Sequence, residues 1–304
     1  MPYPIIQVPY DASEMPEALG TKPKFWYVDV NGTSTLYKEG RVDSGEHWSE
    51  KAACEIAEIL GVPHAHYDLA EWRGRKGVAS PSFVPKEGRL ILGNELLRFV
   101  EPAYPANAMR FRAKSHSVRS VMVLLGRPWA RLPIGSALPP LLATASDIFV
   151  GYLLLDVLIG NQDRHHENWG LVYTSQNGGT VTLAPSFDHA SSLGRNERDD
   201  ERERRLATKD AGSSVDHYAR RARSAFFLTP HSQRSLLTLE AFAEAARMAP
   251  MAAAYWKDRL RSVAGERFSE VLEQIPDSQI SEPARRFACK MIEINRGRIL
   301  DCNS

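Results

Sequence analysis

The first regular pattern in the chain is a pair of β-prone segments. Residues 25–30 and 33–38 are rich in aromatic and β-branched side chains, and they flank Asn31 and Gly32. Asn-Gly between two such segments is a strong hairpin signal, because both residues tolerate the positive φ angles that a two-residue turn requires. The pattern therefore predicts a β-hairpin over residues 25–38.

A helical period follows the hairpin. Four apolar residues lie on one face of residues 46–60: Ala53, Ile56, Ala57 and Leu60. Glycine directly after the last periodic residue and proline soon after it end helices, and Gly61 and Pro63 occupy those places. Glu50 shares the apolar face by its spacing, so the pattern predicts a helix with one carboxylate turned inward.

Two further strands are predicted over residues 77–84 and 89–92. One helix among four or more strands indicates a small α+β lobe that ends near residue 100. Prolines then interrupt about forty residues so often that helices there must be short. Residues 141–159 are apolar around most of the helical circumference, which is typical of a helix buried inside a second lobe.

The rest of the chain is mainly helical. A second hairpin is predicted from residues 169–173 and 180–184, joined around residues 177–179. Helical periodicity returns from residue 237 onward. Ser281 is predicted to cap the last helix, because a glutamate and a proline follow it.

Composition narrows the class of protein. The chain has 304 residues, which is enough for two lobes, and its 43% hydrophobic and 25% charged content is ordinary for a globular protein. It has 38 basic and 37 acidic residues. The resulting net charge of +1 argues against direct nucleic-acid binding and against binding to an anionic membrane.

Cysteine content and the start of the chain bear on location. Cys54, Cys289 and Cys302 are widely spaced and odd in number, so they form neither a disulfide framework nor a zinc signature. The first residues show no signal-peptide pattern, and the longest apolar stretch, residues 148–160, is too short to cross a bilayer. We therefore expect a cytoplasmic protein.

The candidate chemistry is concentrated in residues 160–170 and 184–188. Asp163 and Asn168 lie five residues apart after the buried helix, and Asp188 closes the following hairpin. Phosphoryl transfer needs a carboxylate beside the attacking hydroxyl and two oxygen ligands that hold Mg²⁺ against the phosphates. This order is that of the catalytic loop and metal-binding segment of the protein-kinase superfamily. The alternative is that Asp163 caps a turn and Asn168 satisfies backbone groups.

Two adjacent histidines, His165 and His166, lie inside the same loop. Adjacent histidines point in different directions in most backbones, and no Cys or His stands at ligand spacing nearby, so a zinc site is not expected. We expect His165 to hold the loop by packing and hydrogen bonding, whereas His166 receives no role.

Two stretches resemble the HipA-like kinases, which are bacterial serine/threonine kinases and often the toxin half of toxin–antitoxin systems. Residues 158–169 (LIGNQDRHHENW) resemble their catalytic loop, and residues 183–194 (LAPSFDHASSLG) resemble their metal-binding segment. By this resemblance Asp163 is the catalytic base, and Asn168 and Asp188 are the magnesium ligands.

The resemblance implies an α+β, bilobal protein-kinase-like fold. A small, β-rich N-lobe would cover residues 1–100, and a larger, mainly helical C-lobe would cover residues 101–304. The implied activity is ATP- and Mg²⁺-dependent transfer of a phosphoryl group to a protein serine or threonine, autophosphorylation included. The chain is similar to the short family members that lack an N-terminal subdomain. An antitoxin or an accessory subdomain protein is therefore an implied partner, beside the protein substrate.

The small lobe is expected to grip the nucleotide. Lys38 ends the second strand of the first hairpin, and Glu50 would hold its ammonium group on the α- and β-phosphates, as the kinase pattern implies. A solvated lysine is the alternative for Lys38. Residues 83–85 are the expected hinge between the lobes.

A phosphate-binding loop is expected just before the first strand. Gly20 and Thr21 lie there and resemble the HipA phosphate loop loosely, with one glycine rather than several. Glu17 stands where HipA has a regulatory serine, which leaves Thr21 and Ser13 as alternative autophosphorylation sites.

A charged run follows the metal-binding segment. Residues 195–205 contain five arginines and five acidic residues, a pattern typical of a solvated loop or helix. Its position after Asp188 is also that of a kinase activation segment, which orders on meeting ATP, a substrate or a partner.

Two rival functions stay open. The Asp-Arg-His-x-x-Asn pattern also resembles the phosphatidylinositol kinases, so a small-molecule or lipid kinase is one alternative. No basic amphipathic helix or cationic cluster favours the lipid version. A catalytically inactive, kinase-like binding module is the other.

Overall fold

A six-stranded sheet forms the first part of the fold. The computed structural model describes residues 1–12, 15–16, 23–108, 113–175 and 179–302. The strands are β1 (Ile5–Gln7), β2 (Met15–Pro16), β3 (Lys24–Val28), β4 (Ser34–Glu39), β5 (Asp68–Trp72) and β6 (Arg75–Pro81). Their order in the sheet is β1-β5-β6-β4-β3-β2, with β1 parallel to β5 and the other neighbours antiparallel.

The predicted first hairpin is confirmed as β3 and β4, but its turn differs from the expected one. Within this fully described turn, Gly32 has a positive φ of 77° and Asn31 does not. The Asp29 carboxylate accepts hydrogen bonds from the backbone N–H groups of Asn31 and Thr33, both at 2.9 Å. The Asp29 side chain therefore stabilises a longer loop, in which Asn31 does not need the left-handed conformation.

Helix α1 (Glu46–Leu60) begins and ends where the sequence predicts. Gly61 ends it in the left-handed conformation, with φ at 71°. Twelve of its fifteen residues are buried, because β5 and β6 cover one side and the C-terminal part of the chain covers another. His47 Nε2 lies 3.0 Å from the Gln279 carbonyl oxygen, and Arg259 donates to carbonyl oxygens of the last turn. Helix α1 is thus enclosed from two directions.

A second sheet lies in the later part of the chain. Its strands are β7 (Gly88–Leu92), β8 (Ala130–Arg131), β9 (Gly170–Thr174) and β10 (Thr180–Leu183), in the order β7-β9-β10-β8. Strands β9 and β10 confirm the second predicted hairpin, although residues 176–178 of its turn lie outside the described residues. The predicted strand at 89–92 is confirmed as β7, but it pairs with β9 rather than with the first sheet. The chain therefore passes from the first sheet to the second between residues 81 and 88. The lobe boundary at residue 100 stays a prediction.

Helices make up most of the remaining chain. They are α2 (Gly93–Val100), α3 (Val118–Leu125), α4 (Ala145–Ile159), α5 (Asp199–Ala207), α6 (Val215–Arg220), α7 (Thr238–Met248), α8 (Pro250–Ser262), α9 (Gly265–Glu273) and α10 (Glu282–Asp301). Each described helix is too short or too polar to serve as a membrane span. Ser281 caps α10 as predicted, since its hydroxyl accepts from the Ala284 N–H at 3.3 Å.

Helix α4 is the centre of the second lobe. Fourteen of its fifteen residues are buried, and it contacts α7, α8 and α10. It begins at Ala145 rather than at residue 141, because Thr144 and Asp147 form a capping box. The Thr144 hydroxyl accepts from the Asp147 N–H at 3.3 Å, and the Asp147 carboxylate accepts from the Thr144 N–H at 2.9 Å.

His116 connects the segment before α3 to the buried core. Its Nδ1 atom lies 3.1 Å from the Ala225 carbonyl oxygen, and its Nε2 atom lies 3.1 Å from Trp169 Nε1. The carbonyl oxygen can only accept and the indole N–H can only donate, so the ring is neutral with its proton on Nδ1. Burial lowers the pKa of His116 to about 3.

The neutral ring makes folding stability depend on pH. Unfolded histidine titrates near pH 6.5, so the free energy of unfolding should fall as pH drops from about 6.5 towards 3. His116 should account for a loss of roughly 1–2 kcal/mol between pH 6.5 and 5, measured by urea unfolding. His116→Gln retains one donor and one acceptor and should flatten this dependence, whereas replacement of the exposed His231 by Gln should not. An unchanged pH slope in H116Q would contradict the assignment.

Candidate active site

Lys38 lies where β4, α1 and the segment after β10 meet. Its Nζ atom donates to Glu50 Oε2 at 3.1 Å and also contacts Asp188 Oδ1. The Glu50 side chain is fully buried, whereas the Asp188 side chain is 37% exposed. The structure therefore brings together three of the residues predicted from the sequence, although 150 positions separate Lys38 from Asp188.

One ammonium group faces two carboxylates in this cluster. Burial alone would lower the pKa of Lys38, but the Asp188 and Glu50 carboxylates outweigh it and raise that pKa well above its ordinary value. Burial raises the pKa of Glu50, and the Lys38 ammonium opposes that shift. Glu50 Oε1 also accepts the backbone N–H of His189 at 2.5 Å. Lys38 consequently stays charged and oriented at neutral pH.

The backbone at Asp188 has an unusual conformation. Its φ is 58°, in the left-handed region that aspartate tolerates better than most residues. The Asp188 N–H donates to the Tyr67 hydroxyl at 3.2 Å, and the preceding Phe187 ring stacks on Phe83 with centroids 5.6 Å apart. Tyr67 was not predicted as a site residue. Its contact helps to fix the direction of the Asp188 side chain.

Asp163 and Asn168 lie on one closed loop after α4. Asn161 Oδ1 accepts the Asp163 N–H at 3.2 Å, and Asn168 Nδ2 donates to the Asp163 carbonyl oxygen at 2.7 Å. His165, which is buried, accepts the Glu167 N–H on Nδ1 at 3.1 Å. This hydrogen bond confirms the expectation that His165 holds the loop.

Arg164 is the buried centre of the same loop. Its guanidinium binds both oxygens of Asp156, at 2.9 and 2.7 Å, and donates to Ser186 Oγ at 2.9 Å and to the Asn168 carbonyl oxygen at 3.0 Å. One side chain thus joins α4, the catalytic-loop candidate and the end of the second hairpin. Neither Arg164 nor Asp156 was predicted as a functional residue, although an aspartate inside an apolar helix was a visible signal.

The two candidate segments are hydrogen-bonded to each other. The Gln162 N–H donates to the Ser191 carbonyl oxygen at 3.2 Å, and the Leu193 N–H donates to the Ile159 carbonyl oxygen at 2.8 Å. Asp163 opens onto a cavity of about 210 Å³. The residues that line it are polar or small: Gln162, Asp163, Ser191, Ser192, Gly194, Arg195, Asn196 and Tyr218.

The donor set suits a hard cation. Asn168 and Asp188 offer an amide oxygen and a carboxylate, and Mg²⁺ prefers oxygen ligands. In the described part of the chain, no three His, Cys, Asp or Glu side chains cluster into a metal cage. Magnesium ordinarily takes one or two protein carboxylates together with substrate phosphates, so these residues fit that ion. Gly20 and Thr21 of the expected phosphate loop lie outside the described residues.

The charged run adopts a helix next to this site. Helix α5 covers most of residues 195–205, and its outward residues form exposed ion pairs such as Arg204 with Glu201. Arg202 is buried and donates to the Gly194 carbonyl oxygen at 3.0 Å. The segment is therefore solvated on one face and attached to the site on the other.

The fold is similar to those of solved structures, and two of them illustrate this similarity. One is the Helicobacter pylori proinflammatory kinase CtkA, which is 18% identical with a TM-score of 0.73 over 99% of this chain and 100% of that one. The other is HipA of Shewanella oneidensis MR-1, solved with HipB and its operator DNA. It is 14% identical with a TM-score of 0.57 over 96% of this chain and 67% of that one. Neither a protein-family model nor a curated protein sequence matches the chain.

These likenesses confirm the predicted fold class. The chain has an α+β, bilobal protein-kinase-like fold. Its fold is similar to the folds of CtkA and HipA.

Removing the Arg164 cation should be costly, because it leaves the Asp156 carboxylate buried without its partner. We expect Arg164→Met to lower the free energy of unfolding by about 3–5 kcal/mol, measured by urea denaturation. The double variant D156M/R164M has no unpaired buried charge at this site and should recover much of the lost stability. Arg204→Met, which breaks an exposed pair, should leave the free energy of unfolding close to that of wild type. Wild-type stability in R164M would contradict this account.

Proposed function

We propose that the chain is an ATP- and Mg²⁺-dependent serine/threonine protein kinase of the HipA-like type, capable of autophosphorylation. The observation that supports this most strongly is the cluster of Lys38, Glu50 and Asp188. The segment after Asp188 is in turn hydrogen-bonded to the Asp163 loop. A buried ion pair contributes little net stability compared with apolar packing, so a cation between two carboxylates at a partly open site favours a binding role.

Lys38 and Glu50 form the nucleotide grip in this proposal. Lys38 contacts the α- and β-phosphates, and Glu50 limits the directions in which the ammonium can point. Because Lys38 is bonded to Asp188 in this structure, an entering nucleotide replaces one negatively charged partner with another. The charge of the ammonium group therefore stays compensated throughout.

Asp163 is the proposed base and acceptor-orienting residue. Its carboxylate accepts the proton of the attacking hydroxyl as that oxygen bonds to the γ-phosphorus and ADP leaves. Asn168 and Asp188 would hold Mg²⁺, which neutralises negative charge on the phosphates when bound. The polar cavity beside Asp163 is large enough for a serine or threonine side chain to enter.

The toxin role and the antitoxin or accessory partner belong to the same proposal. HipA of Shewanella oneidensis was solved together with HipB and operator DNA. This supports the proposal that the chain has a partner protein. The chain's net charge of +1 provides little electrostatic attraction for direct binding to DNA.

Changing the proposed base or metal ligand should strongly reduce phosphoryl transfer and leave the fold intact. Asp163→Asn should lower kcat by roughly 10²- to 10⁴-fold, measured with labelled ATP. Asp188→Asn should also inactivate the protein, and asparagine tolerates the left-handed backbone there. Asp216→Asn, which breaks an exposed pair with Arg220, is the matched control. Full activity in D163N would contradict the assignment.

The substrate class can be tested with the same pair of proteins. Incubation of cell extract with ATP and wild type, but not D163N, should add phosphoserine or phosphothreonine, detected by mass spectrometry. ATP consumption without protein phosphorylation would instead indicate a small-molecule kinase. Absence of both ATP consumption and thermal stabilisation by Mg-ATP would indicate a binding module. Growth arrest on expression of wild type, but not of D163N, is the result expected of a toxin.

A further inference from the structure

Helix α1 carries two inward carboxylates one turn apart, and they serve different halves of the site. Glu50 contacts Lys38, on the nucleotide side. Glu46, which is 3% exposed, pairs with Arg195 in the segment after Asp188. The mechanism proposed above uses the first contact and leaves the second unexplained.

The second contact continues to the proposed base. Arg195 Nη2 donates to Ser191 Oγ at 3.0 Å, and Ser191 Oγ donates to Asp163 Oδ2 at 3.3 Å. The backbone reinforces the connection, since the Gly45 N–H at the start of α1 donates to the Arg195 carbonyl oxygen at 2.9 Å. Four side chains therefore form a continuous path from α1 to the Asp163 carboxylate.

The direction of these hydrogen bonds follows from the chemistry of the groups. A guanidinium has donors only, so the Ser191 hydroxyl must accept from Arg195. Its single proton is then directed at Asp163, which can only accept while ionised. Glu46 holds the guanidinium in place and offsets its charge. Arg195 thus orients the serine through this hydrogen bond.

We infer that Ser191 and Arg195 are positioning residues that fix the Asp163 carboxylate for the acceptor hydroxyl, with Glu46 anchoring them to α1. The inference rests on the kinase function proposed above. A carboxylate held by a hydrogen bond at one oxygen cannot rotate freely about Cβ–Cγ, and misplacement of a catalytic group by about 1 Å can lower a rate by roughly 10²-fold. Glu50 therefore positions Lys38 for the nucleotide, and Glu46 positions Asp163 for the acceptor hydroxyl through Arg195 and Ser191.

The test separates acceptor geometry from nucleotide binding. Ser191→Ala and Arg195→Met should lower kcat by roughly 10- to 100-fold, with KM for ATP and the Mg-ATP dissociation constant within about twofold of wild type. Glu50→Gln should instead weaken Mg-ATP binding. Ser191→Thr keeps the hydroxyl and should retain most of kcat. Arg204→Met, in the same charged run but in an exposed pair, should behave as wild type. Thermal unfolding of each variant shows that it is folded.

A double-mutant cycle tests the path itself. If Glu46 acts through Arg195, the double variant E46Q/R195M should lose no more kcat than R195M alone. Full kcat in S191A, equal loss in S191T and S191A, or additive losses in the cycle would overturn the inference while the kinase function stands. Phosphate found on Ser191 of wild type would make it an acceptor and also overturn the inference. Absence of phosphoryl transfer by wild type would overturn the proposed function and this inference with it.

Discussion

A guanidinium and a carboxylate, both shielded from water, hold the candidate catalytic loop in place. Arg164 and Asp156 meet through two hydrogen bonds, and two further hydrogen bonds join Arg164 to Ser186 and the Asn168 carbonyl oxygen. Buried charges are tolerated only when nearly every donor and acceptor is matched, so the three chain segments involved have one relative arrangement. Asp163 and Asn168 take their positions from that arrangement, because they lie on the loop that Arg164 anchors.

Helix ends could be predicted from the sequence where they depend on residues that are close together in the chain. Helix α1 ends at Gly61 because only a left-handed residue fits there, and Ser281 caps α10 with its own side chain, so both bounds were readable from a few residues. The order of Asp163, Asn168 and Asp188 was visible in the sequence, and the assignment of these residues as base and metal ligands stays a prediction. The meeting of Lys38 with Glu50 was expected from the kinase pattern and is present in the structure.

Features that depend on distant partners were not predictable in the same way. Strand β1 has only three residues and exists because it pairs in parallel with β5, more than sixty positions later, so neither shows a period of its own. The turn at Asn31 differed from expectation because the Asp29 side chain stabilises a different loop. The path through Arg195 and Ser191 obeys no spacing rule, since it arises where α1 and the segment after Asp188 pack together.

If the chain has the function proposed above, the enclosure of α1 limits how its activity could be regulated. Many kinases are silenced by swinging the corresponding helix outward, which separates the lysine from its glutamate. Here that movement would also tear the helix from Gln279 and Arg259 in the C-terminal part and strand their polar groups. Under the function proposed above, an inactive state reached by outward rotation would therefore require these contacts with the C-terminal part to break, and a change that leaves the helix in place would not.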